Sequence, residues 1–101
     1  MKLRELANGL KMPEGPVAME DGSVILGEIA AGRITRIKPN GRKQTVARTG
    51  GGPAGLAIGP DGAAYVCNIG NSLFVRYRKG VPVMGFRRQS VPGCIHRVDL
   101  L

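Results

Sequence analysis

Short apolar runs alternate with Gly, Pro, Asp-Gly and Asn-Gly along this chain, and no apolar period of a helix is sustained. The pattern predicts strands at Lys2–Leu6, Pro16–Met19, Ser23–Glu28, Arg33–Lys38, Lys43–Arg48, Gly55–Ile58, Ala63–Cys67 and Gly93–Asp99. Tight turns are expected at Glu20-Asp21-Gly22, Pro39-Asn40-Gly41 and Pro60-Asp61-Gly62. In each, a glycine supplies the positive φ that a hairpin needs and an Asx side chain bonds its own backbone.

The pattern also repeats. Residues 14–29, EGPVAMEDGSVILGEI, return forty positions later as AGLAIGPDGAAYVCNI at 54–69. Gly93–Asp99 then matches Gly32–Lys38 at an offset of 61, so the second unit carries an insertion of 61 − 40 = 21 residues within about 70–92. A repeat of this length, built of short strands and Asp-Gly turns, is expected of propeller blades, which bury their faces only against neighbouring blades. The expected fold is therefore all-β: an incomplete propeller spanning 1–101, about two four-stranded blades. An outer strand and lead-in occupy 1–13, the first blade 14–49, and the second 50–101, its insertion at about 70–92 read as a long basic loop.

Composition narrows this further. Four aromatic residues and no Trp leave a core of Val, Ile, Leu and Ala. Residues 1–70 carry nine Lys/Arg against six Asp/Glu, a net of +3, and residues 71–101 carry six against one, a net of +5. Arg76, Tyr77, Arg78, Lys79, Phe86, Arg87 and Arg88 combine charge with aromatics as single-strand nucleic-acid binders do, yet a solvated loop is the commoner outcome and no nucleic-acid module is present. No apolar run reaches membrane-span length, so no membrane partner is expected. With no signal-peptide pattern, Cys67 and Cys94 are expected as reduced thiols in the cytoplasm, Cys67 buried. Gly50–Gly55 formally satisfies G-x-G-x-x-G, but neither a following helix nor a distal acid accompanies it.

Pro13-Glu14-Gly15-Pro16, Glu28-Ile29, Gly32-Arg33-Ile34, Gly51-Gly52-Pro53 with Gly55-Leu56-Ala57, Pro60-Asp61-Gly62 and Tyr65-Val66-Cys67-Asn68 together resemble the opening of the family that unites senescence marker protein (regucalcin), gluconolactonases and luciferin-regenerating enzyme. The resemblance covers about three-quarters of the chain, and only the first third of a typical member. It implies a six-bladed propeller hydrolysing small-molecule lactones with a divalent cation, calcium or zinc, at the mouth of its channel. Glu14 matches the family's metal-ligating Glu. Asn68, which ends its strand where Glu28 ends the first unit's, is the candidate substrate-binding residue. Ala54 stands where the repeat places Glu14's counterpart and offers no ligand. No residue is assigned a catalytic role, because the family's other ligands and its proposed catalytic Asp lie in later blades; the chain alone is expected to be inactive or incomplete. Counting Lys2–Leu6, the chain holds eight predicted strands, so three copies as a homo-oligomer would complete six blades.

Overall fold

The computed structural model describes residues 1–71, 73–86 and 91–100. Arg87 and Arg88, singled out above, lie outside the described residues. Among the described residues nine strands form three antiparallel sheets, and no α-helix occurs. The first sheet is a four-stranded meander of β1 (Pro13–Ala18), β2 (Val24–Glu28), β3 (Arg33–Ile37) and β4 (Lys43–Arg48). The second pairs β5 (Pro53–Ile58) with β6 (Ala64–Asn68), and then takes β9 (Cys94–Val98) on the far side of β6. The inserted β7 (Leu73–Arg78) and β8 (Val81–Phe86) form a hairpin of their own.

The turns explain the strands. Gly22, Gly41 and Gly62 sit at φ 88°, 85° and 80°, in the left-handed region that costs a glycine nothing. Each turn closes with the same two backbone bonds, such as Gly22 N–H to the Met19 carbonyl at 3.0 Å and Gly62 N–H to the Gly59 carbonyl at 3.0 Å. Asp21 Oδ1 accepts from Ser23 N–H at 2.9 Å, Asn40 Oδ1 from Arg42 N–H at 3.0 Å, and Asp61 Oδ1 from Ala63 N–H at 3.1 Å. One turn chemistry is used three times.

Between the two larger sheets lies the core. Ile25 and Ile34 of the first meet Ala64 and Val66 of the second, all four fully buried, with Leu56, Ile58, Ala47 and Val98 around them. Glycine lets β1 and β2 approach β5. A Cβ on Gly27 would stand 2.5 Å from the Pro53 carbonyl oxygen, and one on Gly15 would stand 2.7 Å from that of Ala54.

Three expectations need correction. Lys2–Leu6 forms no strand: residues 1–10 run irregularly beside the first sheet and join no ladder among the described residues, and an extended segment without ladder bonds is not a strand. The basic insertion is not a structureless loop, since β7 and β8 pair from Leu73↔Phe86 to Arg78↔Val81. Lys79 at φ 52° and Gly80 at φ 78° give the two-residue turn whose twist suits a hairpin. Cys67 is exposed rather than buried, because β6 alternates and its Tyr65 and Cys67 face carries no covering sheet.

Ile34→Ala should cost roughly 2–5 kcal/mol, because it empties a fully buried site between two sheets. Urea unfolding followed by circular dichroism measures this, and a shift below about 1 kcal/mol would contradict the core assignment.

Candidate functional site

Register places the chemistry-bearing residues at one end of both sheets. Pro13 pairs with Glu28 and Glu28 with Arg33, while Pro53 pairs with Asn68 and Asn68 with Cys94. Glu14 begins the innermost strand at that end, is exposed, and has no hydrogen-bond or ion-pair partner among the described residues. Ala54 starts the equivalent strand and contributes a methyl group. The end therefore offers one uncommitted carboxylate.

Glu28, the other acid there, is already used. It is fully buried, and Arg33 grips it twice, with Nε donating to Oε2 at 2.6 Å and Nη2 to Oε1 at 3.1 Å. Thr35 Oγ1 donates to Oε2, and the Lys11 backbone N–H donates to Oε1 at 2.9 Å. Burial alone would raise the Glu28 pKa and is the largest single influence. The bonds from Arg33, Thr35 and Lys11, with the Arg33 charge, together outweigh it and hold the group at about 2. The sequence marks Glu28 as a strand end and as part of the Glu28-Ile29 match, and assigns its side chain no task. The available signal was an acid followed, across the Gly32 turn, by Arg33 and Thr35 on the next strand, where register sets them on the same face or beside it.

Asn68 is 6% exposed and performs the corresponding task in the second unit. Its Oδ1 accepts from Gly52 N–H at 3.1 Å and Gly70 N–H at 2.8 Å, and its Nδ2 donates to the Gly50 carbonyl at 2.9 Å. The side chain thereby ties the crossing between the sheets to the start of the insertion. It also lines a cavity of about 270 Å³ with Thr49, Asn71, Cys94 and His96. On the β9 side of that cavity the Cys94 thiol lies 3.6 Å from His96 Nε2 of the same strand. Glu14 is not among the residues lining it, so the two predicted site residues share an end of the molecule and not a pocket.

A catalytic calcium needs six or more oxygen ligands and a catalytic zinc about three protein ligands. Among the described residues no three His, Cys, Asp or Glu side chains come together. Glu28 and the Asn68 oxygen are spent on internal bonds. These residues do not fit a bound catalytic cation.

Two stacked antiparallel sheets joined by a short crossing, each with its first strand innermost, define a partial β-propeller. The PQQ-bound aldose sugar dehydrogenase of Streptomyces coelicolor, a β-propeller, superposes with a TM-score of 0.62 at 22% identity, over 96% of this chain and 33% of that one. At that identity the likeness is one of fold, and this chain spans about a third of the neighbour's length. No family model and no curated protein matches the sequence. No helix among the described residues is long and apolar enough to cross a membrane.

Because the Glu28 carboxyl is depressed to about 2 from an ordinary 4.5, its contribution is fully present above about pH 4.5 and fades as pH falls toward 2. Stability should drop by on the order of 3 kcal/mol across that window. Glu28→Gln should be less stable at pH 7 and flatten the acid limb. Unfolding midpoints measured from pH 7 to pH 2 test this, and an unchanged slope in the variant would remove Glu28 as the cause.

Proposed function

We propose that this chain is a two-blade unit of a lactone-hydrolase-type propeller, supplying one channel-mouth carboxylate and by itself not turning over lactone. One observation carries the reading: Glu14 is exposed and unpartnered at the start of an innermost strand, at the position the sequence resemblance assigns to a metal ligand. The fold supports it, since a propeller is what that resemblance implies. The missing chemistry is equally specific. Lactone hydrolysis needs an electrophile at the ring carbonyl and a base for water. One carboxylate per chain cannot hold the first and also act as the second.

A pH-stat assay on a δ-lactone, with calcium, zinc or manganese, should give the rate of metal in buffer alone for both the native chain and Glu14→Gln. Calcium binding should be about millimolar or weaker and lost in Glu14→Gln. Metal-stimulated turnover that disappears in the variant would overturn the inactivity, and calcium binding unaffected by the variant would overturn the role of Glu14.

A second reading rests on the β7–β8 hairpin. Arg76 and Arg78 share a strand face with Val81 and Val83, while Tyr77 and Met84 lie on the other, with Phe86 exposed at the strand end. Cationic and aromatic groups on one narrow ribbon suit the phosphates and bases of a single strand. If so, the chain is retained on heparin and oligo-dT at low salt, and the combined replacement of Arg76, Arg78 and Lys79 by Ala abolishes retention. Elution of the native chain in the void would reject this reading.

A further inference from the structure

The second sheet exposes the same face that the first sheet buries. At the repeat offsets of 40 and 61, Ile25 corresponds to Tyr65, Gly27 to Cys67, Ile34 to Ile95 and Arg36 to Arg97. Ile25 and Ile34 are 0% exposed, whereas Tyr65 is 38% and Ile95 is 71% exposed. A Cβ on Gly15 would collide with the next inner strand, while one on its counterpart Gly55 would meet nothing within 4 Å. This face is built as one half of a contact between blades.

The chain also contains the other half. Ala64, Val66 and Asn68 form the side of β6 that rests on the first sheet, and their counterparts Val24, Leu26 and Glu28 form the far side of β2. Among the described residues the irregular N-terminal segment lies along that far side, burying Leu26, Glu28, Thr35 and Ile37 and leaving a cavity of about 240 Å³ between Arg4 and Leu6 on one side and Val24 and Ile37 on the other, so a second copy is received there as that segment lifts away. Strand number points the same way. The first sheet has four strands and the second three, with the outer edge of β9 unpaired among the described residues. Lys2–Leu6, a strand by sequence, has no ladder in its own chain.

We propose that copies of this chain associate head to tail. The outer face of β5-β6-β9 rests on the far face of the next copy's β1–β4, and that copy's Lys2–Leu6 pairs along the edge of β9. Such heterologous contacts close into a ring when the rotation per copy divides a full turn. Each copy supplies two stacked sheets, so three copies make a six-bladed ring, within the four to eight blades that propellers use. The new contact is not an identical copy of the internal one. Cys67 stands where Gly27 admits the Pro53 carbonyl, so the inner strands are held further apart, with the Cys67 thiol beside Pro13 of the next copy.

Light scattering on the 101-residue chain should give about three times the chain mass of 10.7 kDa. Ile95→Asp should give a monomer that keeps its strand circular dichroism, whereas Val81→Asp, on the hairpin, should stay trimeric. In a Pro13→Cys, Cys94→Ser double variant, mild oxidation should link Cys67 of one copy to the thiol introduced at position 13 of the next and give bands of two and three chains with none larger. A monomeric native chain, a trimer unaffected by Ile95→Asp, no cross-link, or a ladder running past three would each overturn the proposal. None of these readouts involves lactone or metal, so they stand or fall apart from the proposed function.

Discussion

Everything in this molecule depends on one contact, the apolar seam between two twisted sheets in which Ile25 and Ile34 meet Ala64 and Val66. Neither sheet has enough apolar surface to be stable alone. A chain with four aromatic residues has no large side chain to compensate. Gly15 and Gly27 let backbone approach backbone across the seam, and Ile25 and Ile34 fill the rest of it.

Given the seam, the two buried polar residues at the strand ends become intelligible as a pair. Glu28 and Asn68 occupy the same place in the repeat, and each ties an incoming or outgoing segment to its sheet. Glu28 fixes the lead-in through the Lys11 backbone and braces β3 through Arg33 and Thr35. Asn68 gathers Gly50, Gly52 and Gly70 without any charge. The charged version is tolerated because its guanidinium and hydroxyl partners replace the lost hydration. The neutral version needs only backbone groups, which leaves the neighbouring cavity lined by Thr49, Asn71, Cys94 and His96 free of an obligatory ion pair.

Much of this is legible in the sequence, and the exceptions have physical causes. Asp21-Gly22 and Asp61-Gly62 announce their turns because the side-chain bond and the positive φ are local properties, and the offset of 61 places β9 beside β6. Lys2–Leu6 misleads because strand propensity is local and strand formation is not. The β7–β8 hairpin escapes a sequence reading because it lies in the one interval without a repeat partner, and Lys79-Gly80 is a weaker turn signal than Asp-Gly. The exposure of Cys67 follows from counting blades, not from its apolar neighbours. Glu14 and Asn68 are found by analogy, and geometry separates them: one is exposed near the start of its strand, the other committed to the loops.

A channel is a property of a ring, not of a blade, and this decides what the chemistry at the strand ends can be. Glu14 points to a function only if other ligands face it across an axis, and within one chain the facing position is Ala54. The second sheet leaves Ile95, Tyr65 and Cys67 uncovered on one side. On the other side residues 1–10 cover the first sheet and leave a cavity of about 240 Å³. The geometry that would bring further oxygen ligands to Glu14 is therefore the same geometry that would bury Ile95. On the proposed assembly, a cation held by Glu14 would therefore draw its affinity from the closure of that seam.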